Sequence, residues 1–191
     1  MPLSQEDKKY TYSDYLTWPE NERWEIIDGI PCMQAAPSWQ HQAISRELLV
    51  QFSSFLKDKT CQVFASPFDL RIPEGDEKDE DTKFVVQPDI VVICDRGGLK
   101  GTGYLGTPPL VIEISSPSTS KNDKIYKFNK YEKFGVKEYW IVEPEGKIVS
   151  VFTQGESNRY GRPEVYSETD KINVSIFPEL IIDLAPVFNS I

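Results

Sequence analysis

Two short runs constrain the fold more than any other feature of this chain: Pro88-Asp89-Ile90-Val91-Val92-Ile93-Cys94 and Leu110-Val111-Ile112-Glu113-Ile114. Both are apolar and β-branched, which suits strands buried on both faces, and both are too short for a core helix. They are expected to be central strands. The second carries Glu113, and removing a carboxylate from water without a partner costs several kcal/mol. Asp89 heads the first run behind Pro88, whose ring restricts the backbone, and it shares a face with Val91 and Ile93. If the strands pair, two carboxylates converge. Such a pair needs a divalent metal, a Lys or Arg, or a shared proton between its members.

The segments around these strands supply helices and further strands. Trp24–Ile27 and Ile30–Gln34 are expected to pair through Asp28-Gly29, a dipeptide suited to a tight hairpin, behind a short leading helix at Asp14–Trp18. Ser38 is placed to cap a helix running to about Lys57, with Ile44, Leu48, Phe52, Phe55 and Leu56 at helical spacing. Strands are expected at Gln62–Ala65, Phe68–Ile72, Glu138–Val142 and Ile148–Phe152. A second long helix is predicted over Ser120–Phe134, ending at Gly135. Residues 164–188 read as short strands and turns without a periodic helix. The expected fold is α/β (α+β): a mixed β-sheet flanked by helices, in one domain over residues 1–191.

On the second helix, an advance of about 100° per residue gives Ile125, Phe128, Tyr131 and Phe134 a slanted apolar stripe. Lys124 and Lys127 fall within it and point partly inward, so this helix offers a cation to Glu113. Asp123, Lys127 and Tyr131 also form an i, i+4, i+8 line, which leaves an ordinary helix ion pair between Asp123 and Lys127 as the alternative.

Charge bears on the partner. The formal net charge is -9 in 191 residues, which argues against a chain that coats itself with nucleic acid through lysines and arginines alone. Residues 74–81 hold six acids and one Lys, whereas residues 121–137 hold six lysines and two acids. An anionic ligand therefore has a local basic face to meet. No run approaches about 18 apolar residues, and the opening Met-Pro-Leu-Ser-Gln-Glu-Asp-Lys-Lys lacks a secretory pattern, so a cytoplasmic protein with no membrane partner is expected. Cys32, Cys61 and Cys94 are read as three reduced thiols. Gly101-Thr102-Gly103-Tyr104-Leu105-Gly106 fits GxGxxG in letters only. A Thr-Pro-Pro and a strand follow it, so a flexible loop is expected and no nucleotide cofactor.

Pro88-Asp89, twenty-three residues and Glu113 resemble the bipartite signature of the PD-(D/E)XK nuclease superfamily. In that superfamily two acids bind Mg²⁺ and a Lys two residues later assists the attacking water; Ser115 holds the position of that Lys. Further segments are similar to the Uma family of restriction-endonuclease-like proteins: Trp-Glu-Ile-Ile-Asp-Gly at 24–29, Gln-His-Gln at 40–42, Gln-Pro-Asp-Ile-Val-Val at 87–92, Glu-Ile-Ser-Ser-Pro-Ser-Thr at 113–119, Asp123 with Lys127 and Tyr131, and Gly-Val-Lys-Glu-Tyr-Trp-Ile-Val at 135–142. The resemblance covers about residues 12–188 and implies a restriction-endonuclease-like fold. It implies Asp89 and Glu113 as ligands of Mg²⁺ (or Mn²⁺), with the Ile114 carbonyl as a further ligand, and Lys127 as the lysine that has moved from strand to helix. Glu25 and His41 also match family positions and are candidates for substrate contact or a second metal. The implied activity is endonucleolytic hydrolysis of DNA, and the resemblance allows a homodimer. The alternative is a nuclease-fold module that binds or assembles without catalysis.

Overall fold

The structure is a computed structural model and describes residues 8–191. Residues 1–7, part of the opening segment expected to lack a secretory pattern, lie outside the described residues. In chain order the elements are α1 (Tyr12–Tyr15), β1 (Trp24–Ile27), β2 (Ile30–Met33), α2 (Trp39–Leu56), β3 (Gln62–Ala65) and β4 (Asp69–Arg71). There follow β5 (Val85–Val86), β6 (Ile90–Ile93), β7 (Leu99–Lys100), β8 (Gly103–Leu105) and β9 (Leu110–Ile114). A π-helical segment (Asn122–Lys127) runs into α3 (Phe128–Phe134). Then come β10 (Glu138–Glu143), β11 (Ile148–Thr153), β12 (Glu164–Ser167), β13 (Lys171–Asn173), β14 (Ile181–Asp183) and α4 (Leu184–Phe188). The fold is mixed α+β, and no described helix is long and apolar enough to cross a membrane.

The chain divides into two compact units. The first comprises the described residues up to Ala36 with Asp69–Gln87 and Gly98–Gly106, and the second comprises Pro37–Phe68, Pro88–Gly97 and Thr107–Ile191. The backbone passes repeatedly from one to the other, so no linker-like stretch marks a boundary, and the sequence reads as the single domain 1–191.

The first unit is a sheet in the order β2-β1-β5-β4-β8-β7. Its β1–β2 hairpin turns on Asp28 and Gly29, whose φ values of 55° and 76° are those of the tight turn this dipeptide favours. A small core of Tyr12, Ile26 and Val85 is overlaid by Tyr10, Tyr15 and Trp18. The GxGxxG stretch is not the flexible loop expected, because Gly103–Leu105 is strand β8, paired parallel to β4. Gly103 lies beside the Asp69 backbone so closely that a Cβ would overlap the Asp69 carbonyl oxygen. The glycine therefore serves strand packing.

The second unit is a sheet in the order β12-β11-β10-β9-β6-β3. Among the described residues its one parallel pair is β9 with β10. Parallel neighbours need a crossover connection, and here it contains the π-helical segment and α3. One sheet face carries Ile90, Val92, Ile112, Trp140 and Val142, packed with Ile44, Leu48, Phe52 and Leu56 of α2. Phe52 meets Trp140 edge to face at 5.7 Å. Each such fully buried side chain contributes about 1.5–3 kcal/mol of hydrophobic stabilisation. Strand alternation turns Val91, Val111 and Tyr139 to the opposite face, where Tyr131 lies 5.0 Å from Tyr139. The sheet is thus covered on both sides, as its apolar strands require.

Two expectations are corrected here. Cys61 and Cys94 are not separate thiols but a disulfide. The antiparallel register that pairs Gln62 with Ile93 brings the two cysteines together across β3 and β6, although 33 residues separate them in sequence. The C-terminal stretch also holds a helix, α4, whose N-terminus is capped by Asp183 accepting the Ala185 N–H at 3.0 Å. Five residues are too few to show a helical period, yet Leu184, Val187 and Phe188 join the core beside α2.

The close approach at Gly103 predicts that Gly103→Ala destabilises the protein by about 1–3 kcal/mol through overpacking against backbone. A lowered urea midpoint with unchanged m-value is the expected result; an unchanged midpoint contradicts the packing role.

Candidate functional site

The β6–β9 register pairs Ile90 with Ile112 and Val91 with Val111. Carried on by one residue, it sets Asp89 across from Glu113, on the face shared with Val91 and Val111. Asp89 is held from several sides. The Ile114 N–H donates to its Oδ2 at 2.7 Å, and His41 Nε2 lies 3.0 Å from its Oδ1. Its backbone carbonyl accepts the Ser66 N–H at 3.1 Å. His41 is carried by the first turn of α2, where its own N–H donates to the cap Ser38 Oγ at 3.2 Å.

Glu113 is only 3% exposed. Its Oε1 accepts from Lys127 Nζ at 2.9 Å and from Tyr131 Oη at 3.0 Å. Lys127, equally buried, lies 3.9 Å from Asp123 Oδ1, and the Asp123 carbonyl accepts Tyr139 Oη at 3.0 Å. Removing one member of such a buried pair typically costs about 3–5 kcal/mol, because the other is left as an uncompensated charge. The helical line Asp123, Lys127, Tyr131 is therefore the buried face of this crossover.

That face is not the one expected from a uniform 100° helix. Ile125, placed in the apolar stripe, is 48% exposed, and Lys124, expected to point inward, is turned out to Glu143 at 2.6 Å. The cause is the π-helical segment, whose i→i+5 bonds widen the turn and reduce the rotation per residue. Residues four apart then come closer to alignment, so Asp123 sits over Lys127 and the residues between them swing outward. Such widened turns are frequent at functional sites.

Of the residues named from sequence, Asp89, Glu113, Lys127 and His41 all belong to the second unit. Glu25 belongs to the first, buried, accepting the Gln87 N–H at 2.8 Å and Gln34 Nε2 at 3.0 Å. Ser115, standing where the superfamily Lys would be, is buried, and its hydroxyl makes no hydrogen bond among the described residues. Tyr131 and Asp123 complete the surroundings of Glu113 and Lys127. Their signal was the i, i+4, i+8 line, which by itself equally describes a surface ion pair.

Among the described residues no group of three or more His, Cys, Asp or Glu side chains is arranged to hold a metal. Asp89 and Glu113, on neighbouring strands, are nevertheless the donor type a hard cation such as Mg²⁺ takes, since it needs only one or two carboxylates and keeps water or phosphate oxygens for the rest.

Burial raises the Tyr139 phenol well above its ordinary pKa of 10.0, and the nearby charges of Glu113 and Asp123 push the same way. The folded chain thus keeps a proton that the unfolded chain loses above pH 10. The stabilisation is complete below pH 10 and declines as the pH rises above it. Urea midpoints measured from pH 9 upward should fall more steeply in the wild type than in Tyr139→Phe; parallel curves would contradict this.

A family model described as "Putative restriction endonuclease" matches residues 12–185. An uncharacterized protein of Synechocystis sp. is 31% identical over 125 residues, covering 64% of this chain. The match spans 62% of that protein's length. Among solved structures, a putative nuclease belonging to DUF820 from Anabaena variabilis superposes with a TM-score of 0.73 at 23% identity, covering 94% of this chain and 98% of that one. That likeness establishes a shared fold. The family match takes in both acids, the crossover lysine and all of the sheet that presents them: the chain belongs to the Uma2 family.

Proposed function

We propose that this protein is a metal-dependent endonuclease that hydrolyses phosphodiester bonds in DNA, using Mg²⁺ or Mn²⁺ at Asp89 and Glu113. The observation that carries the reading is the buried Lys127, 2.9 Å from Glu113, whose strand is paired with the strand that Asp89 immediately precedes. A buried ion pair in the centre of a sheet is an expensive way to fill a core, and well-packed apolar residues are often as stable or more so. Its retention beside Asp89 is explained by chemistry. Membership in a family described as "Putative restriction endonuclease" supports the same conclusion.

In this reading Asp89 and Glu113 hold the cation, with the Ile114 carbonyl as a further ligand. The ion would stabilise charge on the scissile phosphate and acidify the attacking water. Lys127 donates hydrogen bonds at the same place: it orients the water and offsets phosphate charge in the transition state. Its position on the crossover substitutes for a lysine at Ser115. Tyr131 shares Glu113 Oε1 with Lys127 and so limits how that carboxylate can turn. The exposed Lys121 and Lys133 offer charge to the DNA backbone despite the net acidity of the chain. A homodimer would supply a second site for cutting both strands.

The second reading, a nuclease fold that binds or assembles without catalysis, is favoured by one observation: Lys127 and Tyr131 already meet Glu113 Oε1 without a metal. Calorimetric titration of Mg²⁺ and Mn²⁺ separates the two. Heat of binding that disappears in Glu113→Gln supports the metal site, whereas a wild type that takes up neither ion, alone or with DNA, supports the second reading. In cleavage assays on DNA, Lys127→Gln should lower the rate by about 10²–10³-fold, the usual cost of removing one such donor. Full activity in a folded Lys127→Gln variant would sink the assignment.

A further inference from the structure

His41 is the single histidine of the chain, and its side chain reaches Asp89 from α2. Its backbone is fixed by the bond to Ser38, and its ring lies with Nε2 3.0 Å from Asp89 Oδ1, the two side chains being 18% and 15% exposed. The imidazole thus lies within ion-pair distance of the carboxylate. The other nitrogen, Nδ1, is buried and makes no hydrogen bond among the described residues. The polar capacity of the ring is therefore directed at Asp89.

Asp89 is gripped by both oxygens. Oδ2 accepts the Ile114 N–H of β9 at 2.7 Å, while Oδ1 faces the imidazole of α2. One contact would leave the carboxylate free to rotate about its Cβ–Cγ bond. Two contacts from different elements, one a hydrogen bond and one a close polar approach, restrict that rotation.

We infer that His41 is a positioning residue for Asp89, holding the carboxylate in the orientation that accepts a divalent cation, and is neither a ligand of that cation nor a contact to substrate. The inference rests on the metal site proposed above. Outer hydrogen bonds to metal-ligating groups commonly sustain 10–100-fold of the affinity.

The test is calorimetric titration of Mn²⁺ into wild type, His41→Asn and His41→Gln, with thermal unfolding of each measured without metal. Asn is polar and tolerated near a helix start but has no group at the position of Nε2, whereas Gln carries an N–H at about that reach. The expected result is Mn²⁺ binding weakened about 10–100-fold in His41→Asn and largely restored in His41→Gln, with all three proteins folded. Equal affinity in wild type and His41→Asn overturns the inference while leaving the metal site standing. Loss of binding in His41→Asn and His41→Gln alike makes His41 a ligand and overturns it too. A wild type that binds no Mn²⁺, with or without DNA, overturns the metal site itself and this inference with it.

Discussion

The ion pair between Glu113 and Lys127 is the constraint on which the second unit depends. A carboxylate in the middle of a five-residue apolar strand is tolerable only with a cation and a hydrogen-bond donor at hand, and Lys127 and Tyr131 supply both on one oxygen. The requirement reaches into the topology. Lys127 and Tyr131 lie on the crossover that joins the parallel strands β9 and β10, so the connection demanded by parallel strands also neutralises the buried acid. The widened helical turn belongs to the same solution, because it brings Asp123 and Lys127 into line over the sheet.

Asp89 is managed differently. It sits at the edge of burial and is held by a backbone N–H and an imidazole, groups that orient a carboxylate without matching it with an ammonium. Two acids on neighbouring strands are thus given unlike surroundings, one tied to a lysine and the other presented by a pair of fixed contacts. That asymmetry is compatible with the proposed site, in which both carboxylates would hold the cation and Lys127 stands beside Glu113. It gives the proposed nuclease chemistry a physical basis beyond family membership.

Much of this was legible along the chain. The β-branched runs announced β6 and β9, the spacing of Ile44, Leu48 and Phe52 announced α2, and Asp28-Gly29 announced the first hairpin, because each signal depends on residues close in sequence. Glu113 drew notice as a charge where charge is costly, and Lys127 as a lysine on an inward face. Lys124 and Ile125 were misplaced because a fixed rotation per residue fails where a helix widens, and no residue type in Asn122–Lys127 marks that change. Ser115 was legible as a departure from the superfamily pattern; that its hydroxyl is buried was not.

What the sequence by itself determined is the set of strands and helices, the buried acid and the family, since propensity, periodicity and the cost of desolvation act locally or on the residue concerned. Only the tertiary structure decided which long-range pairs form: His41 with Asp89, Cys61 with Cys94, and Tyr131 and Lys127 on the same oxygen of Glu113. Those contacts join residues up to 48 positions apart, from His41 to Asp89. They are selected by strand register and crossover packing, which depend on how all the apolar faces are buried at once and leave no local mark on the chain.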